Sequence, residues 1–160
     1  MRQIHTLIIG AGQAGLAMSR CLSDRAIPHV LIERGEIGNA WRHARWDSLT
    51  LLTPNWQSRL PGFAYSGPNL DGFMSMDGIV DHLDTYARIS RAPVETRTRV
   101  LGVSAEGQGY RVETDHGDWL CRNLVMANGA CGAASVPGFA AGLPEHITQI
   151  TPLDYKNPPQ

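Results

Sequence analysis

Charge of either sign is scarce in this 160-residue chain: Asp, Glu, Lys and Arg make up 18% and the formal net charge is −1. A near-neutral chain offers no electrostatic attraction to nucleic acid or to an anionic membrane. Runs of like charge, low-complexity tracts and internal repeats are missing as well. No apolar stretch approaches the ~18 residues of a membrane-spanning helix. Met1-Arg2-Gln3-Ile4-His5 leads directly into an apolar strand, so no signal peptide is expected. Cysteine is sparse. Cys21, Cys121 and Cys131 form an odd set with no Cys-x-x-Cys. That argues against a disulfide framework, a zinc site and a redox dithiol, and for a reducing cytoplasm. The six histidines are scattered and fit no ligand spacing. What remains is an ordinary globular composition, 42% apolar, in a chain long enough for one domain with a core.

Against this plain background one segment stands out. Leu7-Ile8-Ile9-Gly10-Ala11-Gly12-Gln13-Ala14-Gly15 is an apolar strand running into Gly-x-Gly-x-x-Gly, and a second apolar strand, Leu31-Ile32-Glu33, ends in an acid. Dinucleotide binding needs each part. Gly10 permits a tight turn, Gly12 lets the backbone approach a pyrophosphate, and Gly15 lets a helix pack close to the strand. The helix N-terminus supplies free N–H groups and partial positive charge to the phosphates. Glu33 sits where a carboxylate can accept from ribose hydroxyls, and it opposes the 2′-phosphate of NADP. Arg34 has two readings, a solvated charge or a partner for such a phosphate. Trp41 and Trp46 likewise read either as core aromatics or as cofactor contacts.

The wider pattern predicts an α/β fold. Strands are expected at Ile4 to Ile9, His29 to Glu33 and Arg99 to Val103, and helices at Gln13 to Arg25 and, capped by Asp77, at Gly78 to Arg91. Residues 35–77 show no sustained period. Tyr110 to Thr114 and Trp119 to Cys121 read as a meander, with turns at Gly107-Gln108-Gly109 and His116-Gly117-Asp118. Leu124 to Ala127 reads as a further buried strand, stopped by Asn128-Gly129. The expectation is a Rossmann-like, mostly parallel sheet with an inserted three-stranded antiparallel meander. Such an insertion is a feature of FAD-binding domains more than of plain NAD domains. Residues 1–136 form the expected domain, and 137–160, with five prolines, reads as an extended linker.

Gly35-Glu36-Ile37-Gly38-Asn39-Ala40-Trp41-Arg42, then Trp46-Asp47-Ser48-Leu49-Thr50-Leu51-Leu52-Thr53-Pro54 and Leu60-Pro61-Gly62, resemble the N-terminal half of the class B flavin monooxygenases. That group holds the flavin-containing monooxygenases, the plant YUCCA-type enzymes and bacterial relatives. Val125-Met126-Ala127-Asn128-Gly129 is similar to their apolar-Ala-Thr-Gly strand end, with Asn128 in place of Thr. The resemblance implies FAD as cofactor, with Gly10, Gly12, Gln13, Ala14 and Gly15 along its pyrophosphate. Glu33 would hold the adenosine ribose, with Arg34 beside it, and Val100 would meet the adenine. Trp41 and Arg42 would close over the cofactor. Residues Leu49 to Asn55, Thr53 among them, would approach the flavin ring, and Ala127, Asn128 and Gly129 would pass beside the FAD where the last strand ends.

The resemblance also implies NADPH as reductant and a small oxygenated substrate, in an enzyme with a second Gly-rich motif. None follows here, so the chain is expected to be incomplete at its C-terminus and inactive alone, needing a missing half or a homo-oligomer. The linker fingerprint is imperfect as well: Phe139 to His146 holds one residue too many, and Thr151 stands where its His would be. Two other readings stand beside this one: a non-catalytic nucleotide- or partner-binding remnant, and an NAD(H)-binding dehydrogenase domain. No catalytic side chain and no metal ligand is assigned.

Overall fold

The computed structural model describes residues 1–130 and 132–159; Cys131 and Gln160 lie outside the described residues. The elements follow in the order β1 (Arg2–Ile9), α1 (Gln13–Ser23), β2 (His29–Ile32), α2 (Asn39–His43), β3 (Arg59–Leu60), β4 (Phe63–Ala64), α3 (Met76–Ser90), β5 (Val94–Glu95), β6 (Val100–Glu106), β7 (Gly109–Thr114) and β8 (Trp119–Met126). Short 3-10 turns occupy Asn55–Gln57 and Gly138–Gly142.

One sheet runs β5-β2-β1-β8-β7-β6, and β3 and β4 form a separate small hairpin. Strands β5, β2, β1 and β8 are mutually parallel; β7 and β6 continue antiparallel. The expected meander is therefore present, and its last strand doubles as a member of the parallel sheet. β8 pairs with β1 from Arg2↔Trp119 to Ile9↔Met126, while only Trp119, Leu120 and Cys121 pair with β7. The two strands read separately from the sequence are thus one.

The C-terminal half of β1 is buried on both faces, which is why Leu7-Ile8-Ile9 reads as an unbroken apolar run. Ile8 joins one core cluster with Leu16, Leu31, Leu83 and Tyr86, beneath α1 and α3. Leu7, its neighbour on the opposite face, joins Val30, Ile32, Val112 and Trp119. Ser19, fully buried on α1, lies 2.8 Å from His29 Nε2, and His29 Nδ1 lies 2.8 Å from the Ile27 carbonyl. Because that carbonyl accepts only, Nδ1 carries a proton, and in the neutral ring Ser19 donates to Nε2. Polar groups buried at this junction are thereby paired, and His29 has a structural role.

Several boundaries differ from expectation. Ser75, not Asp77, caps α3, its hydroxyl accepting from the Gly78 amide at 3.2 Å. Asp77 lies in the first turn, where the helix dipole favours an acid. The strand that follows α3 and pairs with β2 is Val94–Glu95; the segment from Val100 belongs to the antiparallel meander. Residues 35–77 are partly regular, holding α2, a 3-10 turn and the β3–β4 hairpin. The tail is not simply extended: Lys156 and Asn157 fold back onto residues 43–47.

His82 on α3 packs 4.6 Å from the Phe63 ring, and its buried Nε2 has no partner among the described residues. Burial lowers its pKa from the usual 6.5. Above that value both folded and unfolded chains carry it neutral. As the pH falls below it, the unfolded chain takes up a proton that the folded chain resists, so stability declines towards the lowered folded value and then levels. His82→Leu keeps the apolar packing and should flatten the loss of urea-unfolding stability between about pH 7 and pH 5. An unchanged slope in that variant would contradict the assignment.

Candidate functional site

The parallel strands β1, β2 and β8 end on the same side of the sheet, and a cleft of about 1080 Å³ opens there. Carboxyl ends of strands where a crossover reverses direction are where open α/β sheets hold ligands. Gly10 leaves β1 with φ +106°, a conformation strained for any side chain. A Cβ on Gly10 would lie 2.5 Å from the Ala127 carbonyl oxygen, so the turn is wedged against the end of β8. A Cβ on Gly15 would lie 1.9 Å from the Gly10 carbonyl oxygen. Both glycines are needed by the fold itself.

Gly12 is different. A Cβ there would meet no protein atom within 4 Å; it would project into the cleft. Among the described residues no side chain caps α1, and its first turn holds no acid. The N–H groups at this helix start are left for an anion that arrives from outside. The donor set and the room that a side-chain-free Gly12 leaves together fit a pyrophosphate.

Glu33, 9% exposed, ties the site together. One carboxylate oxygen accepts the Ala11 amide at 3.0 Å, and the other accepts the Gly35 amide at 3.0 Å. Each oxygen keeps a lone pair for a hydroxyl entering the cleft. Arg34, Arg45 and Arg99 also line the cleft, and none of them makes an ion pair among the described residues. Three guanidinium groups against one carboxylate leave the cavity suited to an anionic ligand.

The structure brings Gly10, Gly12, Gln13, Ala14, Glu33, Arg34, Trp41, Val100, Ala127, Asn128 and Gly129 together around this cleft. Gly15 stands behind the loop, in its packing role. Arg42, Leu49 and Thr53 are not among the lining residues. The Arg42 Nε donates to the Ile37 carbonyl at 3.0 Å, and its guanidinium pairs with Asp84 on α3. With Glu36 also nearby, it is held by two carboxylates at a separate, smaller pocket. Arg45 stands at the cleft instead, its guanidinium 5.2 Å from the Trp41 ring centre. The four-residue spacing of Trp41 and Arg45 was the one signal in the sequence, and a weak one, because Arg45 lies beyond the end of α2. Arg99, next to Val100, carried none.

A family model described as pyridine nucleotide-disulphide oxidoreductase matches residues 7–157. The chain belongs to that family. It is 36% identical to an uncharacterized CzcO-like oxidoreductase of Geobacillus kaustophilus, over 98% of this chain and 45% of that protein. It is 32% identical to the indole-3-pyruvate monooxygenase YUCCA1 of Oryza sativa subsp. japonica, over 83% of this chain and 34% of that one. A flavin monooxygenase of Stenotrophomonas maltophilia superposes with a TM-score of 0.76 at 31% identity, over 86% of this chain and 41% of that chain. The family resemblance and the Rossmann-like fold expected from the sequence are thus both found. The chain spans under half the length of the curated relatives it matches. No helix among the described residues is long and apolar enough to cross a membrane.

Gly12→Val should leave the circular dichroism and melting temperature close to the parent's, because the new side chain enters open space. Its affinity for a dinucleotide should fall at least about a hundredfold, since the valine occupies the pyrophosphate position. Equal affinity for parent and variant would show the glycine loop to be a turn only.

Proposed function

We propose that this chain is the FAD-binding half of an NADPH-dependent flavoprotein monooxygenase. The observation that carries the reading is the Gly10–Gly15 loop held open by Glu33, with Gly12 facing an arginine-lined cleft. In this reading the first-turn amides of α1 take the pyrophosphate, Glu33 takes the adenosine ribose, and Arg34 and Arg99 flank the adenine end beside Val100. Trp41 and Arg45 close the opposite wall, and Ala127, Asn128 and Gly129 border the cofactor where β8 ends. Bound FAD would supply the redox chemistry; the protein binds it, orients it and excludes water. Residues 1–136 form the binding domain, and 137–160 lead towards a nicotinamide-binding half.

Monooxygenase rather than disulfide chemistry is favoured by the thiols. No two cysteines have redox-dithiol spacing, and burial pushes the Cys121 thiol above its usual pKa, keeping it protonated. Cys21 and Cys121 are free, which suits a cytoplasmic location. The small substrate would bind where the two halves meet.

FAD should bind more tightly than NADPH in parallel titrations, because Glu33 opposes a 2′-phosphate. Glu33→Ala should weaken FAD by about 1–3 kcal/mol, since it strips both the ribose acceptor and the bonds to the Ala11 and Gly35 amides. A preference for NADPH in the parent would overturn the cofactor assignment. The 160 residues alone, loaded with FAD, should not be bleached rapidly by NADPH under anaerobic conditions. Hydride transfer needs the nicotinamide held within ~3–3.5 Å of the flavin, and the single dinucleotide loop is occupied. Fast, saturable bleaching would mean that a nicotinamide site exists within this chain or across a dimer of it.

A further inference from the structure

Lys156 is the only lysine in the chain. Its ammonium group donates to the His43 carbonyl at 2.8 Å and to the Arg45 carbonyl at 3.0 Å. His43 is the last residue of α2 and Arg45 lies just beyond it, so the ammonium group sits on carbonyls that have no partner within the helix. Two more bonds reinforce the contact. The Asp47 amide donates to the Lys156 carbonyl at 2.9 Å, and the Asn157 side chain donates to the Asp47 carboxylate at 2.7 Å. A turn closed by Thr151 and Asp154, with the Thr151 hydroxyl 2.7 Å from the carboxylate, presents this segment.

The consequence lies on the other side of the gripped strand of chain. Lys156 holds the backbone of Arg45, and the Arg45 side chain lines the cleft against Trp41. The contact joins two segments 111 positions apart, so it is a tertiary tie and not a local turn. An arginine on an otherwise free loop loses much side-chain and backbone entropy when it fastens on a ligand; one on a pinned backbone loses less.

We propose that the 151–157 segment is a built-in brace for the dinucleotide cleft, in which Lys156 is a positioning residue that sets Arg45 and the Trp41 wall for the anionic cofactor. The inference rests on the FAD-binding reading given above. It assigns a binding role to a tail whose composition reads as mere linker, and it makes cofactor retention depend on how the chain continues beyond the sheet.

The test uses the 160-residue chain, its Lys156→Met, Arg45→Met and double variants, and Asn157→Ala as a milder cut at the same contact. Hydrogen exchange of the cofactor-free proteins is read first. Lys156→Met should speed exchange of the Asp47 amide at least about tenfold while the amides of β1 and α1 keep their protection. FAD affinity is read second. Lys156→Met and Arg45→Met should each weaken it about five- to tenfold, the effect of one charge-assisted bond. The double variant should be no weaker than Arg45→Met, because Lys156 acts through Arg45. Asn157→Ala should fall between the parent and Lys156→Met in both readouts. If the parent binds FAD and the Lys156→Met variant binds equally well, or the two losses add in full, the brace is overturned and the FAD reading stands. A parent that fails to bind FAD overturns the FAD reading and the brace's binding role with it.

Discussion

Backbone packs directly on backbone where β1 becomes α1, and the rest of the molecule depends on that contact. The Gly10 carbonyl lies where a Cβ on Gly15 would be, and the Ala127 carbonyl lies where a Cβ on Gly10 would be. Only hydrogen atoms fit in these spaces. This closeness brings the start of α1 down onto the sheet and against the end of β8. The cleft and the exposed amides around it follow from that position. A larger residue at either glycine would push the helix start away from the strands and open the site.

Glu33 extends the same constraint to the neighbouring strand. A buried carboxylate is costly unless its oxygens are paired, and here each takes a backbone amide, from Ala11 on one loop and Gly35 on the next. The carboxylate thus fastens the ends of β1 and β2 to each other. The backbone does the same from beneath: the Gly10 amide donates to the Ile32 carbonyl at 2.8 Å and the Gly38 amide to the Ala11 carbonyl at 3.1 Å. One residue therefore serves two ends, organising the loop before a ligand arrives and offering its remaining lone pairs to the ligand.

What the sequence made legible was whatever has a local signature. The glycine triplet, the apolar runs of β1 and β2 and the turn at Gly117, with φ +99°, are each written in a few adjacent residues. β5 was missed because two residues beside Pro93 carry no period. The join of Trp119–Cys121 to Leu124–Met126 was missed because β8 changes partner along its length, and each half obeys a different pattern. Arg42 and Arg45 differ through Asp84, forty-two positions along the chain, which captures the first and leaves the second at the cleft. Long-range competition for a charge leaves no mark in the sequence near either arginine. The tail's return onto residues 43–47 is equally non-local, resting on one lysine and one asparagine.

The central claim is that amides in the Gly10–Gly15 loop receive the cofactor's pyrophosphate while Glu33 holds its ribose. Amide chemical shifts of the isotopically labelled chain, followed during titration with FAD, test it residue by residue. The account predicts large, saturable shifts at Gly12, Gln13 and Ala14, with smaller ones at Ala11 and Gly35, whose protons rest on Glu33. Saturable binding that leaves these five amides unmoved, or shifts confined to the β3–β4 hairpin or the tail, would contradict it.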